Sequence, residues 1–121
     1  MTKPVLPPDP NHPITIEPLG RRVTVMVAGQ TIAESDKALV LREASYAPAI
    51  YIPRQDARMD LLERSDQSSY CPYKGDASYF SIPAGGRRSV DAVWTYEAPY
   101  EAVGEIKDHL AFYPDRVDAI S

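Results

Sequence analysis

The sequence predicts a single, mainly β domain, and three observations carry that expectation. Short runs of alternating or β-branched residues recur along most of the chain, as in Ile14-Thr15-Ile16 and Val23-Thr24-Val25-Met26-Val27. Turn-forming Gly, Pro and Asp punctuate those runs at short intervals. Only the segment beyond Pro99 changes to a helical spacing of apolar residues. The expected architecture is therefore two antiparallel sheets with one short helix in the C-terminal half.

Taken in order, the chain begins with five prolines in its first thirteen residues (Pro4, Pro7, Pro8, Pro10 and Pro13). They remove backbone donors and favour an extended, loosely docked terminus, so residues 1–12 are expected to form a tail and 13–121 the domain. Ala28-Gly29 lies between two strand-like runs, and Gly29 can take the positive φ of a tight turn, which predicts a hairpin of 23–27 with 31–34. Residues 38–41 and 49–52 read as further strands, joined through Tyr46-Ala47-Pro48. After Pro53 the charged stretch Arg54 to Arg58 suits one helical turn, and Met59 to Leu62 is expected to be strand. Residues 78–82 alternate, Gly85-Gly86 supplies a turn, and 90–96 places Val90, Ala92, Trp94 and Tyr96 on one face. Val103, Ile106 and Leu110 are spaced three and four apart, which predicts an amphipathic helix, and 110–113 and 117–120 read as closing strands around Pro114-Asp115.

The totals bound the function. A chain of 121 residues makes one domain, able to bury about two thirds of its unfolded surface. A net charge of −4 argues against binding a nucleic acid polymer, which relies on clustered Lys and Arg. No apolar run approaches the length of a membrane span, and the first residues lack a signal-like apolar core, so a cytoplasmic location is expected. One cysteine precludes a disulfide framework or a Cys-pair zinc site, and no cofactor or metal is expected.

Chemistry concentrates in Ser69-Tyr70-Cys71-Pro72-Tyr73-Lys74-Gly75-Asp76-Ala77-Ser78-Tyr79, which holds the single cysteine and three of the eight tyrosines. Cys71 is a nucleophile only if Lys74, the turn and the Gly75 amide favour its thiolate; otherwise it is a small packing residue. Lys74 and Gly75 can offer an ammonium and an N–H to an anion, with Arg54 and Arg58 as further donors. The competing reading pairs Arg54 and Arg58 with Asp56 and Asp60 in structural salt bridges. Lys74-Gly75 alone is not a phosphate loop, because the Walker pattern needs an earlier Gly and a following Ser or Thr. Tyr70, Tyr73, Tyr79, Trp94 and Tyr96 can line an aromatic wall for a planar ligand, with Trp94 also suited to the core and Tyr73 or Tyr79 better placed for a ligand face. His12 lies in the tail, and His109 falls at a helix end where a dipole contact accounts for it. Asp56, Asp60, Asp66 and Asp76 are scattered over turns and do not form the carboxylate group that magnesium-dependent nucleotidyl transfer requires.

The ordered series Arg54, Asp56, Arg58, Met59-Asp60-Leu61-Leu62, Tyr70-Cys71-Pro72-Tyr73-Lys74-Gly75, Ala77-Ser78-Tyr79, Ala92-Val93-Trp94-Thr95-Tyr96 and Ala111-Phe112-Tyr113 resembles a family of small, mainly bacterial domains. That family is a domain of unknown function (domain of unknown function 427), sometimes labelled a nucleotidyltransferase. The resemblance spans about residues 20–119. It implies a β-tent-like fold, in which two sheets meet along a ridge and the open side can hold a ligand. Familiar β-tent domains carry two Cys pairs on zinc; with Cys71 alone, packing must replace that metal here.

Three functions are open at this point. The first is a small-ligand-binding domain for a planar or anionic molecule, with Arg54, Arg58, Tyr73, Lys74, Gly75, Tyr79 and Trp94 as candidate binding residues. The second is an enzyme, either a nucleotidyltransferase or one using Cys71 and Lys74, and the third is a protein-interaction module. If Arg54, Arg58, Lys74 and Tyr79 converge on one surface, Lys74→Ala should weaken ligand binding and leave the thermal midpoint nearly unchanged.

Overall fold

The computed structural model describes residues 4–121, so the first three residues of the expected tail lie outside the described residues. Among the described residues, ten strands build two antiparallel sheets. They are β1 (Ile14–Pro18), β2 (Val23–Val27), β3 (Gln30–Ser35), β4 (Leu39–Glu43), β5 (Ala49–Pro53), β6 (Glu63–Cys71), β7 (Gly75–Ser81), β8 (Val93–Thr95), β9 (His109–Phe112) and β10 (Ala119–Ile120). The larger sheet runs β1-β4-β5-β9-β8-β7-β6, and the smaller runs β10-β2-β3.

Side-chain alternation sorts two cores. Val23, Val25 and Val27 point from β2 into the space between the sheets, where they meet Ile52, Phe80, Val93, Leu110 and Phe112 from the large sheet. The alternate residues of the large sheet, among them Leu41, Tyr51, Ala77, Tyr79 and Ala111, gather on its other face with Val103 and Ile106. That second face carries the candidate site.

The β2–β3 hairpin turns at Ala28-Gly29 as the sequence predicts, with both residues at positive φ (52° and 76°). A turn of that kind matches the strand twist but strains an alanine, for which Asn is the favoured replacement. Ala28→Asn is therefore expected to add about 0.5–1 kcal/mol, because Asn tolerates the left-handed region at small cost. A thermal melt should show the midpoint rising by about 2–5 °C. An unchanged or lower midpoint would mean that the 2.7 Å hydrogen bond from the Ala28 N–H to Asp118 Oδ2 is disturbed by the new side chain.

Several expected boundaries move. Met59–Leu61 forms a 3-10 turn closed by the Leu62 N–H on the Met59 carbonyl, and the strand begins only at Glu63. Met59, Leu61 and Leu62 thereby tuck against the core between the sheets from a turn, which a run of apolar residues does not distinguish from a strand. The central stretch is no loop: β6 and β7 pair through Ser69↔Ala77 to Cys71↔Gly75, leaving only Pro72-Tyr73-Lys74 as the turn. Around Trp94 the regular strand is just three residues, because Asp91 takes φ 53° and breaks the alternation. Trp94 and Tyr96 share one core, Ala92 joins the other, and Val90 is 50% exposed.

The expected amphipathic helix is a 3-10 segment, Glu101–Ile106, kinked at Val103. Val103 and Ile106 are fully buried at a spacing of three, which suits three residues per turn. Leu110 belongs instead to β9 and packs on the opposite face of the sheet. Among the described residues, no helix is long and apolar enough to cross a membrane.

Candidate functional site

The cavity follows from how β5 and β9 pair. Their ladder holds only Ile52↔Leu110 and Pro53↔His109. Beyond those two pairs β5 and β9 no longer pair with each other, although β5 stays paired to β4 and β9 to β8, and Ala49-Ile50-Tyr51 on one side and Phe112-Tyr113-Pro114 on the other both border a cavity of about 1050 Å³. The β6–β7 turn and the ends of β4 and β10 complete its walls.

Most of the lining is aromatic or aliphatic, with a polar cluster in one wall. Glu43 ends β4 on the same face as Leu39 and Leu41, so the strand carries its carboxylate inward. There the Lys74 ammonium donates to Glu43 Oε1, and His12 Nε2 lies 2.7 Å from Glu43 Oε2. Lys74 and Glu43 are both buried. Burial pushes the Glu43 carboxyl upward, but the hydrogen bonds and charges of Lys74 and His12 together outweigh it and hold the group below its ordinary value. The His12 ring stacks on Tyr73 with centroids 3.8 Å apart and planes 4° apart, and meets Tyr46 edge-on.

The aromatic walls are themselves tied down. Trp94 Nε1 donates to the Tyr51 hydroxyl at 3.0 Å, and the two rings meet at 86°. Tyr113 lies 4.5 Å from Trp94 between ring centroids. Tyr79 shares a 2.8 Å hydrogen bond with Ser69. Burial, above all, keeps the Tyr51 and Tyr96 phenols protonated well beyond the usual tyrosine range. Burial and then the Tyr79 hydrogen bond push Tyr113 up to about 12. At neutral pH these walls are uncharged, polar only at fixed hydroxyls, and suited to flat apolar surfaces.

Of the residues singled out in the sequence, Cys71, Tyr73, Lys74, Tyr79 and Trp94 line the cavity. Gly75 is buried behind the turn at φ 110°, where an added Cβ would come within 3.5 Å of the Ala98 carbonyl oxygen. Arg54 and Arg58 do not join them, and the expected convergence of Arg54, Arg58, Lys74 and Tyr79 is corrected accordingly. Arg58 lies at the surface, where it grips Asp60 with two hydrogen bonds of 3.1 and 2.9 Å. Arg54 and Arg64 share Glu97 and flank the Phe80 ring, and the Arg64 hydrogen bond, acting with Arg54 against burial, holds the Glu97 carboxyl at about 2. Each guanidinium has an internal carboxylate, but only Arg58 takes the partner that the salt-bridge alternative gave it, Asp60, whereas Arg54 pairs with Glu97 and not with Asp56.

Sequence reasoning passed over Glu43 and His12. The signal for Glu43 was present, since period two from Leu39 and Leu41 reaches it. None existed for His12, which lies 31 residues away and in a segment without periodicity. Its companion His109 opens β9 and bonds through Nδ1 to the Lys107 carbonyl.

The arrangement offers little to thiol or metal chemistry. His12 Nε2 and the Lys74 ammonium are both directed at Glu43, so neither serves Cys71 as a paired base. Asp56 accepts from Ser35, Asp60 from Arg58, and the described residues contain no group of three or more His, Cys, Asp or Glu placed to hold a metal ion. A family model described as a domain of unknown function (DUF427), with the short label NTP_transf_9, matches residues 15–121. No curated protein matches the chain.

Proposed function

The chain belongs to the DUF427 family, whose description assigns no activity, and we propose from the cavity that it binds a small, planar, mostly apolar molecule carrying a hydrogen-bonding edge. The observation that carries this reading is the cavity itself: about 1050 Å³ in a chain of 121 residues, walled by Tyr51, Tyr73, Tyr79, Trp94 and Tyr113. Sites for drug-sized ligands span about 300–1,000 Å³ and combine apolar walls with a few convergent polar groups. Here the polar groups are Glu43, Lys74 and His12. Because Glu43 already compensates the Lys74 ammonium, the cluster suits a neutral edge that both donates and accepts better than a bare anion. That chemistry describes a heterocyclic lactam or amidine better than a phosphate.

Trp94 is the single tryptophan and borders the cavity, so its fluorescence reports occupancy without a label. Titration with quinoline, indole and an isoalloxazine is expected to give saturable quenching for at least one of them. Native mass spectrometry of gently purified protein is expected to show a retained small mass. Linear, unsaturable quenching by all three probes together with a bare protein mass would overturn the reading.

A further inference from the structure

We propose that the N-terminal segment Pro4 to His12 is a strap across the mouth of the cavity, latched by His12, and that its release controls entry; this regulation rests on the ligand-binding reading of the same site. Three attachments define the path. Near its start the Pro4 carbonyl accepts from the Tyr70 hydroxyl, which also shares a 2.5 Å hydrogen bond with Tyr100. Next, the Leu6 N–H donates to the Pro72 carbonyl at 2.9 Å. At its end a turn closed on Asp9 presents His12 to Glu43 and lays its ring on Tyr73. Tyr70, Pro72, Tyr73 and Glu43 all border the cavity, so the segment follows the rim from one wall to another.

The physical balance favours a strap that opens. Between its attachments the segment has no strand partner, and Val5 and Leu6 remain 55% and 44% exposed, so little apolar burial holds it. Pro7, Pro8 and Pro10 stiffen it, which lowers the entropy lost when it docks and lets a few contacts suffice. His12 is the strongest of those contacts, because it combines a 2.7 Å hydrogen bond to a buried carboxylate with a parallel ring stack. The family match begins at residue 15, so the strap lies outside the matched region. His12 thus supplies a wall of the site from outside the matched region.

Collisional quenching of Trp94 by acrylamide tests the strap on the full chain and needs no ligand. His12→Ala removes the latch, while Leu6→Pro removes the donor to the Pro72 carbonyl, with the leucine side chain, and alters no residue of the cavity wall. Both variants are expected to raise the bimolecular quenching constant by at least about twofold while the thermal midpoint stays above the assay temperature. Faster amide exchange at Leu6 is expected in His12→Ala. Unchanged quenching in both variants would overturn the strap even if planar molecules bind. Raised quenching in both variants, with unsaturable quenching by all three planar probes and a bare wild-type mass, would leave the strap standing and remove the binding reading instead. If His12→Ala fails to fold, Leu6→Pro decides alone.

Discussion

Lys74→Ala is expected to lower the free energy of unfolding by about 3 kcal/mol, which would place it among the most damaging single changes in the molecule. Lys74 is 9% exposed and Glu43 7% exposed, so deleting the ammonium leaves a buried carboxylate with only His12 beside it. Breaking one side of a buried pair is far costlier than removing both, because the surviving charge stays desolvated. Urea denaturation should therefore show a lower midpoint at unchanged slope, and Lys74→Met combined with Glu43→Gln should recover most of the loss. The pair also sets an acid dependence. Glu43 titrates in the folded protein below its ordinary value of 4.5, so its contribution is complete above that pH and is lost as pH falls through the lowered folded value. The gap between wild type and Lys74→Ala should accordingly close in acid. A change in the unfolding free energy of no more than about 0.5 kcal/mol at neutral pH would instead mark Lys74 as a freely solvated ammonium.

The same pair shows where the sequence was legible and where it was not. Lys74 was recognisable as chemically significant from its position beside Cys71 and Gly75, but its partner was not, and a lysine read without its partner looks like an anion-binding group. The structure reverses the expected outcome of Lys74→Ala, from a binding defect with an unchanged midpoint to a loss of stability. Arg54 and Arg58 illustrate the related ambiguity. Arginine in a turn suits a ligand anion and an internal carboxylate equally well, and only the fold reveals that Glu97 lies in reach of Arg54.

Fold class was more legible than the site because it rests on local periodicity. The alternation of Val23, Val25 and Val27 specified the inward face of β2, and Ala28-Gly29 specified its turn. Local rules failed where a backbone special intervened, as at Asp91, or where an apolar cluster packed from a turn, as at Met59 to Leu62. The cavity was illegible for a different reason. It exists because β5 and β9 stop pairing after two residues, a long-range property of two strands whose paired Ile52 and Leu110 lie 58 positions apart in the sequence. No short motif encodes that divergence.

Gly85→Ala is expected to cost about 2–4 kcal/mol, for a reason that the pair Gly85-Gly86 conceals. Only Gly86 needs glycine for its backbone, at φ 62° and ψ −144°, and a Cβ there meets nothing within 4 Å. A Cβ on Gly85 would lie 2.0 Å from Ser89 Oγ, 2.6 Å from Ser89 Cβ and 3.0 Å from Val27 Cγ1. Rotating the Ser89 side chain cannot relieve the contact with its own Cβ. Rotation would also break the 2.7 Å bond from Ser89 Oγ to the Arg116 carbonyl, leaving a polar pair unsatisfied next to the core. Relief therefore requires moving the 3-10 segment Pro83–Ser89 away from Val27, which loosens the packing of that segment against β2. A double-mutant cycle separates crowding from backbone strain. Ser89→Gly should recover part of the loss in Gly85→Ala and none of the smaller loss in Gly86→Ala, and thermal melts of the three single and two double variants measure both couplings. If Gly85→Ala melts like the wild type, or Ser89→Gly rescues neither variant, then close approach between Gly85 and Ser89 is not what requires glycine at this position.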